Sequence, residues 1–268
     1  MWEDLEDRAG NRTAWLIGIV VAAGVLAGGW YWYASRPSPA APAPVARTVA
    51  PQPAGASEPQ ISHPIPGEAG AAALPALNDS DRVVQDSLAG VLGRVPVEQF
   101  LVPQNIVRHI VVTVDNLPRR KVAVELRPVK PTPGQTAIST QGEITTLSAG
   151  NFERYAPLVR VAQGADVRAL AVAYQRLYPL FQQAYEDLGY PGKYFNDRLV
   201  EVIDHLLEAP EIAAPIQLVQ PKVMFEYADA SLESRSAGQK LLIRMGPANA
   251  RIIKAKLREF RAEVAQKK

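Results

Sequence analysis

The apolar positions of this chain fall into three regimes. The first is a run from Ala14 to Ala34, AWLIGIVVAAGVLAGGWYWYA, which carries no charge. At a rise of ~1.5 Å per residue it is long enough as a helix to cross a hydrocarbon core of roughly 30 Å. Trp15 stands at one end, and Trp30, Tyr31, Trp32 and Tyr33 crowd the other, where amphipathic rings favour the headgroup level. A transmembrane helix over 14–34 is therefore expected. A cleaved signal peptide would need a shorter apolar stretch of ~7–15 residues and a small-residue cleavage site in place of the aromatic cluster.

The second regime, 35–75, has few large apolar residues and is rich in Pro and Ala (PSPAAPAPVAR, PQPAGASEP, HPIPGEAGAAALP). Such a stretch buries too little surface to offset its ordering entropy and is expected to be a disordered tether. As a coil of about 40 residues it would span ~35 Å, so the domain beyond it could work away from the bilayer.

The third regime, 76–268, alternates helical and strand-like periods and is long enough for one domain with its own core. A helix is predicted from Asp79–Ser80 to a stop at Gly93, carrying Val83, Val84, Leu88 and Leu92. Ile106, Ile110 and Val114, with Val107, Val111 and Leu117 beside them, favour a helix over a strand despite the β-branched residues. Lys121–Val129 (KVAVELRPV) alternates apolar and polar as a strand would, and Ile144–Leu147 reads as a short strand. The clearest helix runs from an Asp166 cap to Gly189, with Pro179 inside it expected to kink or split it. Another helix follows, with Asn196 as its cap, and ends before Pro210. Residues 216–227 suggest a strand pair or a bulged strand around Pro221, and a helix is expected over Leu232–Met245. After a break at Gly246–Pro247, a last helix carries Ile253, Leu257, Phe260 and Val264 on one face. The predicted fold class is mainly α with a small β element (α+β).

Charge adds an orientation. Arg8 and Arg12 precede the apolar run, whereas Arg36 alone follows it closely, so the positive-inside rule places residues 1–13 in the cytoplasm and the C-terminal domain in the periplasm of a bacterial inner membrane. The chain has no cysteine, which excludes disulfides, thiolate chemistry and Cys-based zinc sites. The formal charge of +2 is unevenly placed. Residues 79–248 hold eighteen basic and nineteen acidic side chains, whereas 249–268 hold seven basic and two acidic. A basic end invites nucleic acid or anionic lipid, but a periplasmic location argues against nucleic acid and leaves an acidic envelope partner, protein or peptidoglycan.

The strings YPLFQQAYEDLGYPGKYFNDRLVEVIDHLLEAPE (Tyr178–Glu211), VRHIVVTVDNLPR (Val107–Arg119), NFERYAP (Asn151–Pro157) and SAGQKLLIRMGPANARIIKAKLREFR (Ser236–Arg261) occur here in order. In them, and in the layout of tail, anchor, tether and domain, the chain resembles an uncharacterised family of proteobacterial membrane-anchored proteins. That family is known by a C-terminal domain of unknown function, number thirty-fourteen. The resemblance covers most of 76–262 and implies no reaction and no catalytic residue.

Candidate chemistry is sparse. Glu201, Asp204 and His205 fall at three- and four-residue steps of one helix beside Asp197, Arg198 and Glu208. They are the candidates for acid–base work, and Glu201 with His205 for a metal, against the plainer reading of a polar outer face. No metal or cofactor motif, nucleophile elbow or phosphate loop appears. Arg244, Arg251 and Lys254 surround the start of the last helix, where an anion could meet free N–H groups, although Pro247 equally marks an ordinary helix start. Tyr190, Tyr194 and Phe195 lie in an interhelical loop beside Arg198, which suits contact with a protein or sugar, against the alternative of a packed Ω-loop. Two functions are compatible with this inventory: a tethered adaptor that binds an envelope partner, and an envelope hydrolase or sugar-active enzyme.

Overall fold

The computed structural model describes residues 61–65, 74–213 and 215–265. The chain divides into Met1–Ala56 and Ser57–Lys268, and all described residues belong to the second unit. The expected cytoplasmic tail and transmembrane helix, and most of the expected tether, lie outside the described residues. Among the described residues no helix is long and apolar enough to cross a membrane.

The domain is mainly helical with one small sheet. In chain order its helices are α1 (Asp81–Leu92), α2 (Arg94–Phe100), α3 (Ile106–Asn116), α4 (Ala149–Glu153), α5 (Ala156–Gly164), α6 (Val167–Asp187), α7 (Phe195–Leu207), α8 (Ala230–Glu233), α9 (Ala237–Arg244) and α10 (Pro247–Val264). The strands β1 (Ile138–Gln141), β2 (Ile144–Leu147), β3 (Ile216–Val219) and β4 (Glu226–Tyr227) form an antiparallel sheet in the order β1-β2-β3-β4.

Helix α6 is the axis of the fold, because its buried positions recur often enough to face several neighbours. Ala171, Tyr174, Leu177, Tyr178, Phe181, Ala184 and Tyr185 are buried, and α1, α3, α7 and α10 pack around them. Asp166 caps this helix by accepting from the Ala169 amide at 3.1 Å, and Gly189, at φ 108°, follows its end. Pro179 does not split α6. It is exposed, so the carbonyl of Gln175 that loses its partner faces the wetter side of the helix. Helix α3 is capped from a distance: Asp81 of α1 accepts from the Asn105 and Ile106 amides, both at 2.8 Å, while Asn105 adopts φ 52°.

Four sequence expectations differ from what is observed. Lys121–Val129 is not a strand. It holds a single 3-10 turn at Val124–Leu126 and one isolated bridge, Leu101 to Val129, because its apolar side chains find no buried face. Strand β1, which has no counterpart among the expected elements, pairs with β2. The helix expected over Leu232–Met245 breaks into α8 and α9, since Ser236 caps α9 by accepting from the Gln239 amide at 3.2 Å. This break brings the start of α9 against the end of α3, where Gly238 donates to the Leu117 carbonyl at 2.9 Å. A Cβ on Gly238 would meet the end of the Leu206 side chain at 2.5 Å and the Leu117 carbonyl at 3.1 Å, so any larger residue must push Leu206 aside. Finally, Asn196 does not cap α7, which starts after Tyr194, but lies inside it with no exposure.

The sheet buries Leu147, Ile216, Leu218 and Tyr227 on one face, against Leu232 of α8 and Ile243 of α9. Burial pushes the phenols of Tyr174, Tyr178 and Tyr185 above the ordinary tyrosine range. A phenol whose pKa is raised by folding adds stability below the unfolded value of ~10, and that stability is lost as pH rises through the folded value. Tyr174 and Tyr178, whose phenols burial raises furthest of the three, are therefore expected to ionise only as the domain unfolds. The last part of the tyrosinate absorbance should appear only together with the loss of helical circular dichroism in an alkaline titration; ionisation of all nine tyrosines near pH ~10 with the helices intact would refute this.

Candidate functional site

The loop between α6 and α7 is shaped by its own sequence. Gly189 ends the helix, and Tyr190–Lys193 then forms a tight turn in which the Lys193 amide donates to the Tyr190 carbonyl at 3.2 Å. Pro191 and Gly192 occupy its corners, with Gly192 at φ 74°, as a type II turn requires. Gln182 of α6 pins the loop from below. Its Nε2 donates to the Lys193 carbonyl at 2.8 Å, and its Oε1 accepts from the Phe195 amide at 2.9 Å.

A cleft of about 690 Å³ opens between this loop, α7 and the end of α3. One wall is aromatic: the Tyr190 ring stacks on Tyr185 at 4.6 Å, with the Lys193 ammonium 5.6 Å from the Tyr190 centroid. The floor is ionic. Asp115, only 3% exposed, is reached by Arg198 Nε at 3.1 Å, Arg119 Nη2 at 2.5 Å and the Tyr190 hydroxyl at 3.2 Å. Arg198 also donates to the Asp115 carbonyl at 3.1 Å and pairs with Glu201 at 2.9 Å. Burial would lower the Arg198 guanidinium, but Glu201 and Asp115 outweigh it and hold its pKa above the ordinary value. Burial, and then the charge on Asp115, raise the Tyr185 phenol. The carboxylates Asp115, Asp197 and Glu201 line the cleft with Lys193 and Arg198, and Arg119 pairs with Asp115, so the cleft offers both signs at its rim.

The strip of chain along one end of this cleft is a surprise. Residues 61–65, which the sequence reading places in the tether, lie against the domain. Asp197 accepts from the amides of Ser62 at 3.0 Å and His63 at 2.7 Å, and Tyr194 Oη accepts from the Ile65 amide at 2.9 Å. Asn196 Nδ2 donates to the His63 carbonyl and to the Val264 carbonyl at the end of α10, both at 2.8 Å, while its Oδ1 accepts from the Tyr174 hydroxyl at 3.1 Å. Ile65 is 5% exposed and joins the main core.

The structure separates the candidate acid–base groups. Glu201, its side chain 68% exposed, stands at the cleft edge on Arg198. Asp204 faces α10 and binds Arg261 with both oxygens, at 2.5 and 2.8 Å. The His205 Nε2 meets Ser236 Oγ at 2.8 Å, but that hydroxyl is buried and caps α9. The three point to three partners and share no reacting position. Among the described residues no group of His, Asp and Glu could hold a metal ion.

The cations near the start of α10 are likewise engaged apart. Arg244 lies over the Tyr227 ring at 5.8 Å, Arg251 pairs with Glu211 at 3.1 Å, and Lys254, 6% exposed, donates to the Ala209 carbonyl at 2.8 Å. Phe152 covers that helix start so closely that a Cβ on Gly246 would lie 2.6 Å from its ring. Of the expected loop contacts, Tyr190 and Arg198 line the cleft and Tyr194 holds residue 65 at its end. Phe195 is a core residue, 1% exposed and stacked on Phe181 at 5.9 Å.

Asp115 and Arg119 escaped sequence reasoning. The signal was present, since Asp115 follows Val107 and Val111 at helical spacing and so sits on the apolar face of α3, where an acid demands partners.

A family model described as "Protein of unknown function (DUF3014)" matches residues 106–261, which contain the whole cleft except Ile61 at its end. No curated protein and no solved structure matches the chain.

Proposed function

The chain belongs to the DUF3014 family of proteins of unknown function, and we propose that it is a single-pass inner-membrane protein whose periplasmic domain binds an envelope partner as an adaptor or assembly factor. In this reading residues 14–34 hold it in the bilayer, residues 1–13 are cytoplasmic, and the Tyr190–Lys193 cleft is the contact surface. The observation that carries it is the character of that cleft: a stacked aromatic wall over a satisfied ionic floor, with exposed charges at the rim. Such a surface recognises shape and charge, as the aromatic and arginine anchors of interfaces do. Its outer carboxylates are already engaged, Asp197 by the Ser62 and His63 amides and Glu201 by Arg198, which favours a contact surface over a hydrolytic site. The enzyme reading through Glu201, Asp204 and His205 has no observation in its favour.

The test uses the full-length chain in membranes with a photocrosslinking side chain at position 193. One reproducible envelope component should be captured, and Tyr190→Ala should cut its yield at least fivefold while circular dichroism stays unchanged. The same crosslinker at Val223, exposed in the β3–β4 turn, should capture none of it. Equal capture from positions 193 and 223, or none from either, would overturn the proposal.

A further inference from the structure

The way residues 61–65 are held is unlike ordinary packing. Of the backbone N–H groups that Ser62–Ile65 possess, every one is accepted by a side chain, Asp197 taking two and Tyr194 one, and Pro64 has none to offer. Asn196 donates to the one carbonyl in the middle. Ile65 is the fully buried side chain of the strip; Ile61 and Ser62 are exposed, and His63 and Pro64 are half-buried, with the buried His63 Nδ1 lacking a hydrogen-bond partner. Main-chain hydrogen bonds supplemented by an apolar anchor are a means by which grooves take peptides, the backbone giving affinity and the pocket giving selectivity; here the chain bends at Ser62 and His63, which turns their two successive amides onto one carboxylate. The acceptor carboxylate also stands in the first turn of α7, where the helix dipole favours its charge.

We propose that this groove, formed by Tyr194, Asn196, Asp197 and the Ile65 slot, is an acceptor for a short polypeptide segment bent as Ser62–His63 is, and that Ile61–Ile65 fills it in cis as an internal ligand. The inference rests on the partner-binding reading and names the partner's chemistry: a short bent segment that leads into a proline followed by a branched aliphatic residue. The 690 Å³ cleft begins where the strip ends, at Ile61, and gives room for the partner's preceding residues against Tyr190, Lys193 and Glu201. An internal segment competes at an effective concentration in the millimolar range, so an external peptide of the same sequence binds weakly until the strip lets go.

The probe is a labelled synthetic peptide containing Ile61–Ile65 and its neighbours, titrated by fluorescence anisotropy into the full chain. A variant with the strip disabled (Ser62→Pro, His63→Pro, Ile65→Gly) should bind the peptide at least tenfold more tightly than the wild type. Adding Asp197→Ala to that variant should remove the gain. A folded strip-disabled chain that binds no better than the wild type overturns the proposal. If the triple variant does not fold, excess peptide on the wild-type chain should speed hydrogen exchange at the His63 and Ile65 amides, and unchanged exchange overturns the proposal equally. Loss of peptide binding with capture from position 193 intact removes the peptide class alone; the reverse pattern removes the partner reading alone.

Discussion

Asp115→Ala is expected to destabilise the domain by about 3 kcal/mol, read as a lower urea midpoint with an unchanged m-value. The carboxylate is 3% exposed and its two oxygens serve Arg198, Arg119 and the Tyr190 hydroxyl. Removing it leaves Arg198, whose side chain is 19% exposed, beside its own α3 carbonyl partner and Glu201 but without the buried charge it faces. Breaking one side of such a pair costs about 3–5 kcal/mol. The lower end applies here because Arg119 is half exposed and can rehydrate. If the loss comes from stranded charge, Asp115→Ala with Arg198→Leu should recover at least ~1 kcal/mol of it, whereas independent packing losses would add. A loss below ~1 kcal/mol in the single variant would mean that the cleft floor is wet enough to replace the carboxylate with water. The Tyr190 wall should also loosen, so position 193 should capture less of its partner even where the variant is folded.

The helical frame was legible because its helices carry a period that only burial explains. In α6 the Asp166 cap and the terminal Gly189 agree with the helix that forms, and its buried positions keep the helical period, although Pro179 does not split it. The last helix and the strand pair around Pro221 were legible for the same reason. Lys121–Val129 misled because alternation records only which side chains resemble each other, whereas a strand also needs a neighbour and a core face, and this segment has neither beyond one bridge. Strand β1 was hidden by the opposite fault: its residues are all exposed, so it exists only through pairing with β2. Capping across elements was invisible, since nothing local says that Asp81 serves α3 or that Asn196 serves three distant segments. The site was half legible. The loop from Tyr190 to Tyr194 announced itself by aromatics outside any helical period, but its ionic floor comes from α3, far off in sequence. The strip at 61–65 left a faint trace, Ile61 and Ile65 being the large apolar residues in a stretch of Pro, Ala and Gly.

Asn196→Ala should be as damaging, at about 3 kcal/mol, and for a different reason. The residue has no exposure, and its amide joins three elements: Nδ2 serves the carbonyls of His63 and Val264, and Oδ1 receives the Tyr174 hydroxyl. The lost volume is small, so the cavity contributes about 1 kcal/mol, and the larger part comes from buried polar groups left without partners at about 1–3 kcal/mol each. The strip can peel away and hydrate its own carbonyl, which limits the total. That asymmetry gives a sharper readout than stability. Hydrogen exchange should rise first at the His63 and Ile65 amides and in the last turn of α10, with α3 and the cleft floor still protected. Asp115→Ala should show the reverse pattern, with Tyr190 and α3 loosened and the strip still protected. Asn196→Asp tests the chemistry, because a carboxylate keeps the volume and the Tyr174 bond but turns the two donated bonds into contacts between acceptors. It should therefore destabilise at least as much as alanine. An aspartate variant that matched the wild type would show that the shape of Asn196, and not its two donated hydrogen bonds, holds the strip and the end of α10 together.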